Sequence, residues 1–317
     1  MTSNSFRRRS NCPHIVILAL ENTMENTMKW RQLGPNGPQV GAIGLGGMPM
    51  SIKGDRPSTE DSVRVLIRAA ELGMTLWDTA DAYCQNDTET GHNERLFAQA
   101  FGRLPADLRS RVVLATKGGH IRPNGDWVTD GRPEHLREAL DASLKALNVD
   151  VIPLYQFHRP DPKTPFADSV GVLREALDAG KIQFAGLSNV SVEQIDIAMK
   201  IVPITSVQNQ FSPTHRAPEQ DGVLEHCRKL GLAFLPWSPL GGIGGAKDIG
   251  EKGALGQIAQ ELGISPQRVV LAWHLSKYDR SIPIPGASRL ESVEDSAHGG
   301  DIELSPEQVA QLDQSFA

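Results

Sequence analysis

The sequence predicts a (β/α)8 barrel, and three observations support this fold class. Beyond residue 27, short apolar runs alternate with segments of helical periodicity along the chain. There are eight such runs, and this number in about 290 residues suits a barrel whose typical size is about 250 residues. Polar residues follow several runs directly, as they do where parallel barrel strands end at one common mouth.

The first predicted elements are a β-hairpin and a buried strand. Residues 29–33 and the segment from Val40 flank the turn Gly34-Pro35-Asn36-Gly37, whose Asn-Gly pair favours a tight hairpin. We expect this hairpin to close the bottom of the barrel, and residues 40–45 to continue as the first strand. The other strands are predicted near Thr75, Leu114, Leu154, Phe184, Val207, Phe234 and Ile282.

Helix signals lie between these runs. Ser58 is followed at the third position by Asp61, which resembles a capping box before an apolar face. Leucines at helical spacing predict a helix over Pro133–Leu147. Further helix starts are predicted at Ser191, Ser265 and Ser305, and helix ends at Gly73, Gly180 and Gly231.

A doubly wound open sheet is the alternative to the barrel. Such a sheet normally carries a glycine-rich dinucleotide fingerprint in its first strand–helix turn. Residues 44–48 begin like this fingerprint, but Pro49 occupies a position that needs glycine. The barrel is therefore favoured, as a single domain over residues 28–317.

Composition and charge exclude several classes of protein. The 317 residues include 32 Lys and Arg against 38 Asp and Glu, which leaves no basic footprint for nucleic acid or an anionic membrane. The cysteines, Cys12, Cys84 and Cys227, have no CxxC spacing, so neither a disulfide framework nor a zinc site is indicated. A reducing, cytoplasmic location fits best. No apolar run approaches the roughly 20 residues that a membrane-spanning helix needs.

The first 27 residues differ from the rest of the chain. Arg7-Arg8-Arg9 precedes a short apolar run from Ile15 to Leu20, and a signal peptide is one interpretation of this pattern. The run is at the short limit, however, and no small-residue cleavage site follows it. We favour a disordered extension over residues 1–27, or an early start codon with Met28 as the functional start.

Four polar residues with acid–base chemistry follow successive runs: Asp78 and Tyr83 after the second, Lys117 after the third and His158 after the fourth. A free phenol has a pKa of about 10 and holds its proton too tightly to be an ideal acid at neutral pH. An ammonium group about 4 Å away interacts with a phenolate by roughly 4 kcal/mol, which predicts a pKa of Tyr83 lowered by about two units. Asp78 would keep Lys117 charged, and His158 would orient a substrate carbonyl or share in the proton relay.

Each of these residues alone has a common structural explanation. An aspartate after a strand is often a turn former. Tyrosine and lysine often lie at a rim with a solvated tip, and a histidine in an apolar run is often a core residue. Their joint occurrence at barrel-mouth positions favours a proton-delivery site instead.

These residues also lie in motifs that resemble those of the aldo-keto reductase family. The motifs are Trp77-Asp78-Thr79-Ala80-Asp81-Ala82-Tyr83, Thr116-Lys117 and Gln156-Phe157-His158, and the resemblance extends over residues 28–317. It implies a barrel that binds NADPH without a Rossmann domain and passes hydride from nicotinamide C4 to an aldehyde or ketone carbon. It implies Tyr83 as proton donor, Lys117 and Asp78 as its tuning pair, and His158 as carbonyl orienter. A small-molecule carbonyl substrate and a monomer or weak homo-oligomer are further implications.

Residues after the later strands suit a nicotinamide cofactor. Ser188 and Asn189 offer a hydroxyl and an amide for a carboxamide, or a helix cap. Trp237 offers a flat apolar face for nicotinamide, or is a core residue. Arg289 presents a guanidinium suited to the 2′-phosphate of NADP, or is a solvated surface residue. With the resemblance, the predicted cofactor-binding set is Gly47, Met48, Ser188, Asn189, Gln208, Trp237, Ser238, Leu240, Gly242, Gly286, Ser288, Arg289, Asp295 and Ser296.

Loop residues are candidates for substrate selection. Met48, Met50, Trp127 and Phe211 are predicted to line the mouth, although each is also an acceptable core or rim residue. Cys84 follows Tyr83 where many members of the family have glycine, which predicts activity that is sensitive to oxidation.

Two other functions remain open at this stage. The first is an NADPH-binding regulatory protein with little turnover, because channel-associated β subunits resemble the same family. The second is a metal-dependent barrel hydrolase, which is disfavoured because His92, His120, His158 and His215 contain no HxH pair.

Overall fold

The centre of the fold is a sheet of seven parallel strands in sequential order, as the computed structural model shows for residues 1, 28–242, 245 and 253–316, the parts of the chain that it describes. A doubly wound sheet would reverse its strand order in the middle, so the predicted barrel class is confirmed. The described strands are β1 (Trp30–Gln32), β2 (Gln39–Gly41), β3 (Leu45–Gly46), β4 (Leu76–Asp78), β5 (Val113–Gly118), β6 (His120–Ile121), β7 (Val128–Thr129), β8 (Ile152–Phe157), β9 (Ile182–Ser188), β10 (Ile204–Gln208) and β11 (Ala233–Phe234), and the parallel sheet has the order β3-β4-β5-β8-β9-β10-β11.

Residues 281–286 close the barrel between its first and last strands, in the place of the predicted eighth strand. The backbone N–H of Gly46 donates to the carbonyl oxygen of Pro285 at 3.0 Å, and that of Ile282 donates to Phe234 at 2.8 Å. The segment forms only isolated bridges rather than a regular strand. Alternate residues in it are prolines, which have no N–H to give to a ladder.

The N-terminal hairpin pairs β1 with β2 in antiparallel register and closes the barrel bottom, as predicted. Leu33 and Val40 are fully buried in the same apolar cluster as Leu76 and Val113, which lie inside the barrel. The expectation of one strand over residues 40–45 is wrong, because β2 ends at Gly41 and the barrel strand β3 begins only at Leu45. A continuously buried run has no period that reveals such a break.

Side chains alternate between the barrel interior and the layer under the helices. On β5, Val113 and Ala115 belong to the inner cluster and Leu114 to the outer one. Because side chains alternate along a strand, Lys117 continues the inner series at the carboxyl end. The same alternation places Gln156 of β8 inward. Polar groups from neighbouring strands therefore converge at the top of the barrel.

The helices begin and end largely where the sequence predicts. Ser58 Oγ accepts a hydrogen bond from the Asp61 N–H at 3.1 Å, and the helix over Pro133–Leu147 has the predicted bounds. Ser191 and Ser305 both form complete capping boxes. Backbones at Gly73, Gly180 and Gly231 are left-handed, as predicted for helix ends. The helices are α1 (Thr59–Glu71), α2 (His92–Arg103), α3 (Ala106–Arg109), α4 (Pro133–Leu147), α5 (Phe166–Asp178), α6 (Val192–Met199), α7 (Ala217–Gln220), α8 (Val223–Leu230), α9 (Gly253–Leu262), α10 (Pro266–Lys277), α11 (Leu290–His298) and α12 (Pro306–Ser315).

Part of the sequence prediction concerns residues that the structure does not describe. The disordered extension over residues 1–27 lies outside the described residues, apart from Met1. Within the described ranges, no helix is long and apolar enough to cross a membrane.

The close packing of the N-terminal hairpin against the barrel predicts that one added methyl group strongly lowers stability. Gly34 has a φ of +70°, and a Cβ there would lie 2.2 Å from the backbone oxygen of Thr205. We expect Gly34→Ala to lower the free energy of unfolding by more than about 2 kcal/mol, because strain and a backbone clash combine. Urea denaturation measures this change. Gly180→Ala is the matched control, since its φ is +68° but no atom lies within 4 Å of the added Cβ. Equal losses in the two variants would show that the clash contributes nothing.

Candidate active site

A buried lysine at the end of β5 joins an aspartate and a tyrosine. Lys117 Nζ donates to Asp78 Oδ2 at 2.6 Å and to the Tyr83 hydroxyl at 3.1 Å. It also donates to the carbonyl oxygen of Thr79 at 2.9 Å. The three donor positions of the ammonium group are therefore occupied, and its orientation is fixed.

The Asp78 carboxylate is held by three side chains. Its Oδ2 accepts from Lys117, and its Oδ1 accepts from the amide nitrogens of Gln156 at 3.1 Å and Gln208 at 2.8 Å. Gln156 is a site residue that the sequence reasoning missed. Its position two residues before His158 on β8 is a usable signal, because residues i and i+2 face the same side of a strand.

The short loop after β4 brings Tyr83 back over Lys117. The Thr79 N–H continues the sheet pairing to the Ala115 carbonyl at 2.8 Å, and the Tyr83 N–H then closes a turn on Ala80 at 3.2 Å. Asp81 Oδ1 accepts from the Ala82 N–H at 2.5 Å inside this turn. The turn is buried, so the position of the phenol is set by the backbone.

The proton affinity of Tyr83 differs from the expectation. Burial raises the pKa of Tyr83 above its ordinary value; Lys117 opposes this rise, and Asp78 adds to it. The predicted lowering of this pKa is therefore wrong for this structure. The main reason is that the buried phenol loses the water that would stabilise its anion, and the Asp78 carboxylate also opposes the effect of the lysine.

Lys117 keeps its charge in the same surroundings. Burial lowers the pKa of Lys117, but Asp78 and Tyr83 outweigh this effect and raise it overall. The ammonium group is therefore protonated at neutral pH, as the sequence reasoning expected.

His158 stands beside the phenol as a neutral imidazole. Its ring centroid lies 5.8 Å from that of Tyr83 and 4.5 Å from that of His120, with both pairs nearly perpendicular. Burial and then the nearby His120 and Lys117 lower the pKa of His158 well below its ordinary value. Its buried Nδ1 has no hydrogen-bond partner among the described residues. A neutral imidazole offers one N–H donor, which is the group that a carbonyl oxygen accepts from.

A cavity of about 920 Å³ opens above these groups. Lys117 is not exposed in the wall and lies beneath it. Most of the predicted cofactor-binding residues line the cavity, and so do Met48 and Trp127 of the four candidates for substrate selection. The predicted residues in its wall are Met48, Asp78, Tyr83, Trp127, His158, Ser188, Asn189, Gln208, Trp237, Ser238, Leu240, Gly242, Gly286 and Ser288.

Two predicted substrate residues lie away from the cavity. Met50 is fully buried in the cluster between the sheet and the helices. Phe211 is also fully buried and packs against Phe234 and Trp273, with ring centroids 6.0 and 5.2 Å away. The prediction for these two residues is wrong. The sequence does not distinguish an apolar loop residue that faces a cavity from one that faces the core.

Four predicted cofactor residues are absent from the cavity wall. Gly47 is required by packing, since a Cβ there would lie 2.4 Å from Asn93 Oδ1. Asp295 binds Arg268 and Ser265 at 2.8 Å and so ties α11 to α10, and the neighbouring Ser296 is buried. Arg289 is exposed and follows Ser288 of the wall, so the 2′-phosphate role stays a prediction.

The polar residues after β9 and β10 hold one another in place. Asn189 donates to the His158 carbonyl oxygen at 3.0 Å and to Ser188 Oγ at 2.9 Å, and it accepts from Trp237 Nε1 at 3.2 Å. Gln208 uses its amide N–H groups on Asp78 and Gln156. Their free hydrogen-bonding capacity therefore lies on side-chain oxygens, which accept. Such acceptors fit the NH₂ group of a nicotinamide carboxamide.

Cys84 is not the reactive thiol that its position suggested. Its side chain is fully buried, and burial raises the pKa of the thiol to about 11. Oxidation requires an accessible thiolate, so the structure argues against the predicted oxidation sensitivity.

One wall of the cavity comes from a hairpin that the sequence reasoning missed. Strands β6 and β7 pair in antiparallel register and carry His120 and Val128, with Trp127 between them. Two-residue strands are too short to show periodicity, so no sequence signal marked this hairpin. Burial lowers the pKa of His120 to about 4, so this ring is also neutral at neutral pH.

Comparison with known proteins agrees with this geometry. The model of the aldo/keto reductase family matches residues 42–316. The chain belongs to the aldo/keto reductase family. An oxidoreductase of Schizosaccharomyces pombe is 34% identical over 280 residues, which cover 87% of this chain and 86% of that protein.

Solved structures of family members share the fold. The thermostable aldo-keto reductase Tm1743, solved with the inhibitor epalrestat, superposes with a TM-score of 0.77 at 28% identity and covers 91% of this chain and 100% of that one. An aldo-keto reductase of Klebsiella pneumoniae, solved with NADPH, gives a TM-score of 0.76 at 26% identity and covers 91% and 95% of the two chains. Family membership supports an oxidoreductase activity.

The buried ion pair predicts strong coupling between its two members. Lys117→Met leaves the Asp78 carboxylate buried without a counter-charge, and we expect the free energy of unfolding to fall by about 3–5 kcal/mol. In Lys117→Met combined with Asp78→Asn both charges are absent, so the double variant should be more stable than Lys117→Met alone. Thermal and urea unfolding measure both values. Additive losses in the double variant would contradict the coupling.

Proposed function

We propose that this protein reduces aldehydes or ketones to alcohols with NADPH and that Tyr83 donates the proton. The observation that carries the proposal is the contact of Lys117 Nζ with both Asp78 and the Tyr83 hydroxyl beneath a large cavity. When bound, NADPH supplies the hydride. The Klebsiella structure with NADPH supports this choice of cofactor for a related barrel.

Side chains at the ends of β9 and β10 and after β11 would hold the cofactor. Asn189 and Gln208 offer oxygen acceptors to a carboxamide NH₂ group, and Ser188 lies between them. Trp237 lines the cavity, and its indole is fixed by the hydrogen bond to Asn189. An aromatic face fixed in this way is suited to pack against a nicotinamide ring.

Tyr83 delivers the proton from its neutral form. Because burial raises its pKa, the phenol carries its proton at neutral pH before the reaction. When the proton moves to the substrate oxygen, negative charge develops on the phenol oxygen, 3.1 Å from Lys117 Nζ. A charge that is already in place stabilises this developing phenolate without any rearrangement. Lys117 therefore acts mainly on the transition state.

His158 positions the carbonyl group. Its neutral ring lies in the cavity wall next to Tyr83. An imidazole N–H donor polarises a carbonyl oxygen without competing with the phenol as the acid. His158 thus orients the carbonyl group, and Tyr83 transfers the proton to it.

Tyr83→Phe tests the proton donor. We expect kcat to fall by about 10²–10⁴-fold, because the variant lacks the acid but keeps the ring. NADPH oxidation at 340 nm with 4-nitrobenzaldehyde and 9,10-phenanthrenequinone measures kcat, and fluorescence titration should show nearly unchanged NADPH affinity. Tyr155→Phe is the control, because this buried hydroxyl has no partner in the described chain and lies outside the cavity wall.

Two results would count against the proposal. A Tyr83→Phe variant that keeps wild-type turnover would remove Tyr83 from the donor role. Tight NADPH binding by the wild type without turnover of a broad carbonyl panel would favour the regulatory alternative.

Arg289→Ala tests the preference for NADPH over NADH. If Arg289 binds the 2′-phosphate, we expect NADPH affinity to fall by about tenfold or more and NADH affinity to change little, because a charge-assisted hydrogen bond contributes about 1.5–3 kcal/mol. Fluorescence titration with both cofactors measures the two constants. Arg137→Ala on α4 is the control, since Arg137 is exposed, pairs with Glu175 and lies outside the cavity wall. Equal weakening of both cofactors would assign Arg289 to another role.

A further inference from the structure

The cavity wall carries two cations that have no ion-pair partner among the described residues. Arg159 follows His158 directly, and Lys53 lies in the loop after β3; both line the cavity. Neither side chain makes a hydrogen bond or an ion pair to the part of the chain that the structure describes. Arg56 also lines the cavity but is bound by Glu89 at 2.7 Å, so it is already neutralised.

Arg159 lies at the catalytic end rather than at the cofactor end. Its positive charge lowers the pKa values of both His158 and His120, which places the guanidinium within electrostatic reach of the two rings. Burial lowers the pKa of Arg159 itself, and no carboxylate opposes this effect. A partly buried guanidinium without an anion beside it is electrostatically unfavourable, and a bound anion would stabilise it.

Two of the three acidic groups nearby, Asp161 and Asp130, are bound to other partners, and the third, Asp55, is unpaired. Asp161 accepts from the backbone N–H groups of Gly131 and Lys163, both at 3.0 Å. Asp130 forms an ion pair with Arg132 at 2.6 Å. Asp55 lines the cavity but is within ion-pair distance of no cation in the described ranges.

A third cation adds to the positive field behind the wall. The guanidinium carbon of Arg122 lies 4.0 Å from the Trp127 ring centroid, and Trp127 lines the cavity. The N–H groups of Arg122 go to backbone carbonyls, such as Gln85 at 3.3 Å, and no carboxylate of the described chain lies within ion-pair distance. Among the described residues, the cavity wall and the layer behind it thus carry three unpaired cations, Lys53, Arg122 and Arg159, against one unpaired carboxylate, Asp55.

We propose that the site selects carbonyl compounds that also carry an anionic group, a carboxylate or a phosphate, which Arg159 and Lys53 bind while Tyr83 and His158 hold the carbonyl. This inference rests on the proposed reductase function and specifies its substrate class. Neutral acceptors elsewhere in the wall do not favour an anionic substrate over a neutral one. An unpaired guanidinium does, because it binds an oxyanion through charge-assisted hydrogen bonds.

Matched substrate pairs test this selectivity in the wild-type protein. The pairs are 4-formylbenzoate with its methyl ester, succinic semialdehyde with butanal, and glyceraldehyde 3-phosphate with glyceraldehyde. We expect kcat/KM to be about tenfold or more higher for the anionic member, mainly through a lower KM. The first two pairs report on a carboxylate and the third on a phosphate. Added salt should reduce the preference, because ions screen partly exposed charges.

Variants assign the preference to residues. Arg159→Met and Lys53→Met should each reduce the ratio of kcat/KM between the anionic and the neutral member, by about tenfold for Arg159→Met, and Arg159→Lys should retain part of it. Arg174→Met on α5 changes the net charge equally but removes an exposed residue paired with Asp178. This control should leave the ratio unchanged.

The outcomes separate this inference from the proposed function. Turnover of neutral and anionic members at equal kcat/KM would overturn the inference and leave the reductase function intact. A preference that survives both methionine variants would overturn the assignment to Arg159 and Lys53. If no carbonyl compound is turned over, the reductase function fails. Calorimetric titration of the NADPH-bound protein with 4-formylbenzoate and its methyl ester then decides whether the anionic subsite exists, since equal affinities would exclude it.

Discussion

The contact between Lys117 and Asp78 is the constraint on which the site depends. Both charges are buried, and an unpaired charge in such a place would cost several kcal/mol. Further hydrogen bonds offset this cost, since Thr79 accepts from the lysine and two glutamine amides donate to the carboxylate. The strand ends must therefore keep their register to within a fraction of an ångström.

The same pair bears on the proposed role of Tyr83, because a proton donor must hold its proton at rest and release it during the reaction. At rest, Asp78 offsets Lys117, so burial dominates and the pKa of Tyr83 is raised. In the proposed reaction, the negative charge that develops on the phenol oxygen would lie 3.1 Å from the Lys117 nitrogen and would be stabilised by its positive charge. Interactions that grow in the transition state accelerate a reaction more than those present in the ground state. Under the proposed mechanism, the interaction of Lys117 with the phenol oxygen grows in the transition state rather than being fully present in the ground state.

Much of the site was readable from the sequence because strand ends have a fixed geometry. Asp78, Lys117 and His158 each close an apolar run, and parallel strands in sequential order bring such ends to one mouth. The direction of the pKa shift of Tyr83 was not readable, since it depends on how much water the fold removes. Phe211 was misplaced because its loop context does not reveal that the ring turns towards α10. The closing segment at residues 281–286 was located correctly, but its prolines prevented the regular strand that the apolar run predicted.

The proposed catalytic and cofactor-binding groups are joined through a single residue, Gln208. Gln208 donates to Asp78 through its side chain, while its backbone carbonyl oxygen accepts from Ser188 Oγ at 2.8 Å. Ser188 in turn accepts from Asn189, which also holds the carbonyl of His158 and the indole of Trp237. The wall suited to the nicotinamide and the proton-delivery group therefore form one hydrogen-bonded network. A displacement of Ser188 reaches Asp78 through two hydrogen bonds, with Gln208 between them. Under the proposed roles, the position of the acid therefore depends on the shape of the cofactor-binding surface.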